Sequence, residues 1–323
     1  MKSPRVLVLI VGVVATVLVA NLLAFSSKGS RYTLSYPDVI CPQVNAGQVG
    51  FISLESTKTM IRKTGISTLK YKKSRTRRAS ATTQATVVTG GSVTPITWVA
   101  QQSVWAGAVN CVSPISTEWF VGGSADVTSK GSLTLINSGL GKALIEVTPF
   151  TEKGMQSVRL IQVKANSLKK ISLSSVAPGS KSLAIKVNVL TGRVNAFVTD
   201  IRGRGLTALG GDVVNGQSSA SKDLVIPAIP QQKLGKKSLG HSLRILVPGQ
   251  VEAHIKATII STDGTFAPIG IDGLTVPAGK VLSKNLKTIM KPGKFALRIT
   301  SDRPIVAAVY SKTYAQNKND FLW

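Results

Sequence analysis

Residues Val6 to Phe25 form a run of twenty without a charge, in which Asn21 is the only strongly polar side chain. As a helix the run would span about 30 Å, the thickness of a bilayer's hydrocarbon core, so it predicts an N-terminal transmembrane helix. Beyond it, no apolar pattern of period 3.6 persists past about a dozen residues. Alternation of period two takes over. Ile185, Val187 and Val189 share one face while Lys186 and Asn188 share the other, the pattern of a half-buried antiparallel strand. Short runs of this kind start at Tyr32-Thr-Leu-Ser-Tyr36 and Val49-Gly-Phe-Ile-Ser-Leu54, and resume at Ala85 to Thr89 and Ile96 to Ala100.

The last two hundred residues repeat themselves. Ser132-Leu-Thr-Leu-Ile136 returns as Ser242-Leu-Arg-Ile-Leu246, and each is followed by a turn, Asn137-Ser-Gly139 or Val247-Pro-Gly249. Ala143 to Thr148 then matches His254 to Ile259, and Leu183 to Val189 matches Lys294 to Thr300. The turns Thr191-Gly-Arg193 and Ser301-Asp-Arg303 carry each copy into a last strand. Six or seven strands per copy, spaced about 8–12 residues apart, point to sandwiches, and a period this long to tandem domains. The expected fold is therefore mainly β: a transmembrane helix (1–31), a small β-rich domain (32–112), and two tandem Ig-like antiparallel β-sandwiches (113–201 and 223–323). A Gly-rich linker over 202–222 joins the sandwiches.

These motifs resemble a family of membrane-anchored actinobacterial envelope proteins with tandem Ig-like modules. The resemblance rests on the apolar run, Cys41-Pro42 with a second cysteine, and Trp119-Phe-Val-Gly-Gly123. Arg204-Gly-Leu-Thr-Ala-Leu-Gly210 and the ending Ser301-Asp-Arg-Pro-Ile-Val-Ala307 add to it, the latter loosely echoed at Thr191 to Ala196. It implies fold and placement but no activity.

Composition sharpens the placement. Lys2 and Arg5 precede the run, and Lys28 and Arg31 follow it, so flanking charge does not orient it. Length does, because a domain of nearly 300 residues translocates largely regardless of charge. The expectation is a single-pass cell-membrane protein, N-terminus cytoplasmic and bulk extracytoplasmic, with residues 6–25 in the bilayer. A cleaved signal peptide ending near Ala24-Phe25-Ser26 is the competing reading. In that compartment Cys41 and Cys111 are most simply a disulfide, with two buried thiols as the alternative.

The chain has 40 basic and 14 acidic residues, a net charge of +26, which bears on partners and not on fold. Nine cations, Lys58, Arg62, Lys63, Lys70, Lys72, Lys73, Arg75, Arg77 and Arg78, follow one another without an intervening acid. They are the candidate contacts for polyanions, against the reading of a solvated loop. Catalytic patterns are missing: His241 and His254 have no neighbouring acid cluster, and Gly-x-Ser-x-Gly does not occur. Glu118, Glu146, Glu152, Asp200, Asp212 and Asp263 are scattered, and no metal or cofactor set is expected. Trp98, Trp105, Trp119 and Trp323 read as core or interface anchors before they read as a sugar platform.

The expected function is therefore a non-enzymatic structural or interaction protein that shows a cationic surface to anionic envelope polymers, lipid head groups or a protein partner. The alternatives are a polyanion-binding module acting through 58–78 and, last, a carbohydrate-binding or hydrolase domain. Nucleic acid is disfavoured as a partner because few aromatics interleave the cations.

Overall fold

The computed structural model describes residues 38–323, apart from residues 56, 67, 68, 91, 92, 102, 103, 115, 289, 316 and 317. The run Val6 to Phe25 and the strand expected at Tyr32 to Tyr36 lie outside the described residues.

The first lobe is built from β1 (Val39–Cys41), β2 (Val49–Ser53), β3 (Met60–Lys63), β4 (Lys72–Lys73), β5 (Arg78–Ser80), β6 (Thr86–Thr89), β7 (Ile96–Gln101) and β8 (Trp105–Asn110). They form two antiparallel sheets, β1-β6-β3-β4 and β5-β2-β7-β8. Cys41, on β1, forms a disulfide with Cys111, just after β8, and both are fully buried beside Ile52, Leu54 and Val88.

The middle lobe holds the first copy of the repeat: β9 (Thr117–Val121), β10 (Ser132–Asn137), β11 (Ala143–Thr151), β12 (Gly154–Met155), β13 (Arg159–Val163) and β14 (Ser167–Ser172). One helical turn, α1 (Leu173–Val176), precedes β15 (Leu183–Thr191), β16 (Val194–Arg204) and β17 (Thr207–Val214). The sheets run β14-β10-β16-β17 and β12-β11-β15-β9, with β13 on the far side of β11. Inward residues of both, among them Leu133, Leu135, Ile145, Val147, Ile185 and Val198, make one core.

The last lobe repeats this pairing with a difference. Its strands are β18 (Ser221–Gln231), β19 (Lys233–Leu234), β20 (Lys237–Ser238), β21 (His241–Leu246), β22 (Ala253–Ser261), β23 (Gly264–Phe266), β24 (Leu274–Val276), β25 (Val281–Leu286), β26 (Gly293–Ala315) and β27 (Lys318–Leu322). The first half of β26 pairs with β22 as β15 pairs with β11, and the second half pairs with β21 as β16 pairs with β10. In the first copy the chain breaks at Gly192, whose φ of +93° suits glycine and whose absent Cβ would lie 2.5 Å from that of Ala143. Asp302 stands at the matching place, and the 23-residue β26 runs straight through.

Two expectations are corrected here. The two tandem Ig-like sandwiches are replaced by a propeller-like, half-barrel arrangement of sheets. The reason is β26: an Ig-like sandwich needs two separate facing sheets, whereas this strand belongs to both and merges them into one of eight strands. The single-pass membrane placement is not supported either: no helix among the described residues is long and apolar enough to cross a membrane, and the run Val6 to Phe25 lies outside them.

Residues 202–222, read as a linker, are occupied by the end of β16, by β17 and by the start of β18. β17 extends the sheet of the middle lobe, while β18 pairs with β26 of the last. The glycines serve close packing: at Gly211 a Cβ would sit 2.9 Å from the Trp105 ring. Buried side chains also cross between lobes. Trp119, Val121, Phe150 and Ala184 pack against Leu246, Val281 and Val306, and Ile136, Phe197 and Val213 against Val87 and Trp105.

Candidate functional site

Strands β3, β4 and β5 carry most of the basic run, and the structure divides it by use. Arg62 is buried. It donates from Nη1 to the side-chain oxygen of Asn166 (2.7 Å) and from Nη2 to the Ser138 carbonyl (3.3 Å). Asn166 in turn donates to the Ile66 carbonyl, so the pair clasps the first lobe to the middle one. Lys63 donates to the Ser80 carbonyl and the Thr86 hydroxyl, and burial lowers the pKa of its ammonium. Lys58 is exposed. Lys70, Lys72, Lys73, Arg75, Arg77 and Arg78 are also exposed, so six exposed cations fall within nine residues, Lys72 and Lys73 on the edge strand of one sheet and Arg78 on that of the other.

Through Arg78 this segment borders an apolar groove of about 540 Å³ on the sheet β5-β2-β7-β8. Alternation builds it. Ile52 turns into the core, which leaves Val49 and Phe51 on the outer face; Val99 and Val109 turn in, which leaves Trp98, Ala100, Ala106 and Ala108 out. Register sets Phe51 opposite Trp98, and Trp98 opposite Ala108. The Phe51 and Trp98 rings stack with centroids 6.0 Å apart and planes 18° from parallel. The Trp98 indole N–H donates to Ser53 at 3.0 Å, and the Arg78 guanidinium lies 3.6 Å from the centre of the Phe51 ring. Trp98 remains 43% exposed. Sequence reasoning missed this groove, although apolar residues on both alternating faces of Val49 to Leu54 were its signal.

The other three tryptophans are packed. Trp105 lies in the seam with the middle lobe, and Trp119 leans on Phe150, each in a cluster separate from that of the disulfide. Trp323 follows β27 back to the middle lobe, where its backbone N–H donates to Asp212 (2.7 Å) and its indole N–H to Asp200 (2.9 Å). Asp200 and Asp212 face one another across β16 and β17, and Asp320 accepts from the Gly211 N–H. Burial pushes the Asp212 carboxyl up to about 7, with Asp320 and Asp200 adding to the rise. Asp200 is offset by Arg202 at 2.8 Å. These acids are closed in beneath Trp323 rather than open in a cleft with Trp119. Glu118 stands apart, pushed up to about 8 by burial and partly offset by the Ala196 N–H that donates to it.

Arg244 is a second buried cation. Its guanidinium, on β21, donates to the carbonyls of Gly123 (2.5 Å), Leu183 and Lys181 (both 3.4 Å), pinning the last lobe to the middle one. Burial brings it down to about 10, so it stays charged at neutral pH.

His241 is the nearest thing to a catalytic pattern. Its Nδ1 lies 3.0 Å from the Ser311 hydroxyl and its Nε2 2.9 Å from the Gln231 oxygen. All three residues are buried, and burial pushes the imidazole down to about 4. His254 is exposed and bonded to Thr275. Glu146, Glu152 and Asp263 lie on other turns and strands, and among the described residues no three His, Cys, Asp or Glu are grouped to hold a metal ion.

Residues 70–323 match a family model described as "Family of unknown function (DUF5719)". No curated protein matches the chain. A crystal structure of the infectious bursal disease virus VP2 subviral particle aligns at 16% identity over 86% of this chain and 68% of that one, with a TM-score of 0.15, a likeness too slight to carry an argument.

Proposed function

We propose that the chain, which belongs to the DUF5719 family of unknown function, is a non-enzymatic binding protein that holds anionic polymers on the flank formed by Lys70 to Arg78. One observation carries the reading: of nine consecutive cations, Arg62 and Lys63 are drawn into internal hydrogen bonds while each of the six from Lys70 to Arg78 is exposed. Such a surface attracts by charge and recognises by spacing, which suits a polymer of repeated phosphate or carboxylate better than a small neutral ligand. The absence of base-reading groups makes the attraction independent of sequence if the polymer is a nucleic acid.

The test is binding of fluorescently labelled polyphosphate at rising salt. Six contacts, at about −0.7 each as on a single-stranded polyanion, give a slope of log K against log salt of about −4. Replacing all six cations by Gln should flatten the slope and lower affinity by at least a hundredfold at low salt. Unchanged binding by the sixfold variant refutes the proposal.

A further inference from the structure

We infer that the groove on β2, β7 and β8 is the subsite for the hydrocarbon tail of a single-chain lipid with a phosphate head, and that Arg78 takes the head. The inference rests on the cationic flank described above and adds a ligand class to it.

The side chains argue for hydrocarbon. The groove is floored by Val49, Phe51, Trp98, Ala100, Ala106 and Ala108, and its one hydrogen-bonding side chain, the Trp98 indole, already donates to Ser53. A sugar's hydroxyls would find no free side-chain partner there, and an aliphatic chain needs none. A nucleic-acid strand stacks successive bases on successive open rings. Here Trp98 offers the single open face, because Phe51 is covered by the Arg78 guanidinium.

Arg78 stands in the cross-strand row of Ser53 and Ile96; the next row is Phe51, Trp98 and Ala108, and the next Val49, Ala100 and Ala106, with Leu322 lining the groove as well. Three rows two residues apart cover about 13 Å along the strands. The guanidinium reaches over Phe51, and apolar surface continues from there through Val49, Ala100, Ala106 and Leu322, which complements an anionic head with one tail. Among the described residues the Arg78 guanidinium makes no ion pair, which leaves its N–H groups to a phosphate.

Trp98 also reports on occupancy by its fluorescence. The full chain is titrated with butyl, octyl and dodecyl phosphate below their micelle concentrations, with inorganic phosphate and polyphosphate alongside. Each added methylene should tighten binding by up to about fourfold until the groove is filled, so dodecyl phosphate should exceed butyl phosphate by at least a hundredfold. The double variant Ala106→Gln, Ala108→Gln, changed at surface positions and checked for an unaltered melting temperature, should lose that gain and still bind polyphosphate. Arg78→Gln should weaken every alkyl phosphate about equally.

Affinity independent of tail length, or a length dependence retained by the Ala106/Ala108 variant, overturns the inference. So does quenching of Trp98 by a maltooligosaccharide or an oligothymidine but not by dodecyl phosphate. Polyphosphate binding without any tail dependence removes this subsite alone. Loss of polyphosphate binding with the tail dependence intact removes the polymer reading alone.

Discussion

Replacing Glu118 by Gln offers a test of the buried electrostatics with a defined sign. Glu118 is only 6% exposed on β9, and the space a Cβ at residue 216 would need is already taken by its carboxylate, 2.0 Å away. In the unfolded chain the carboxyl ionises near 4.5; in the fold burial holds the proton on until about 8. Below 4.5 both states are protonated and pH has no leverage. Between 4.5 and 8 the unfolded chain has lost a proton that the folded chain keeps, so raising the pH draws the protein toward unfolding. At about 1.4 kcal/mol per pH unit the window amounts to about 5 kcal/mol. Gln stays neutral at the same size, and its stability escapes this decline. Urea unfolding of both proteins, followed by tryptophan fluorescence between pH 5 and 8.5, should show the variant gaining on the parent as pH rises. Asp212 and His241 titrate in both proteins and cancel from the difference. A difference in unfolding free energy that is flat across that range would refute the account of Glu118 as a proton-holding buried acid.

Four further outcomes follow from the same structure. Cys41→Ala with Cys111→Ala opens a loop of 70 residues and should cost about 4 kcal/mol in denaturant unfolding under oxidising conditions, and nothing in the presence of reductant. Arg244→Met strands three carbonyls and should cost about 3 kcal/mol by calorimetry, with Lys restoring less than half because it lacks the planar fork. Gly216→Ala should destabilise by about 2 kcal/mol, and the penalty should shrink when Glu118 is shortened to Ala, a double-mutant coupling readable from melting curves. On the acid side, the depressed His241 makes the fold bind fewer protons than the unfolded chain. That contribution is complete above pH 6.5 and is lost as pH falls toward 4, so His241→Gln should show the shallower acid transition.

How far the chain could be read in advance differs from element to element. The repeat was legible because turn residues and alternating apolar positions are local: Ser132 to Ile136 and Ser242 to Leu246 both became central strands with matching partners. The disulfide was legible from parity of the cysteines. The linker was misread because Gly203, Gly205, Gly210, Gly211 and Gly216 suggest freedom, while Gly210, Gly211 and Gly216 answer to the close approach of Asp320, Trp105 and Glu118 from distant parts of the chain. The basic run looked uniform, and nothing local marks Arg62 as the one that meets Asn166, 104 residues away.

What the sequence determined by itself is the strand inventory, since alternation, turn chemistry and β-branched residues act within a few positions of one another. What the tertiary structure decided is how those strands were shared. Whether two sheets stay apart or merge depends on one turn, glycine at 192 and aspartate at 302, weighed against everything that packs around it. The groove belongs to the same class. Its apolar floor is spread over three strands from Val49 to Ala108, and only their pairing brings that floor beside the Arg78 guanidinium. Pairing is a long-range choice, settled by burial and register together, and no local stretch of chain contains it.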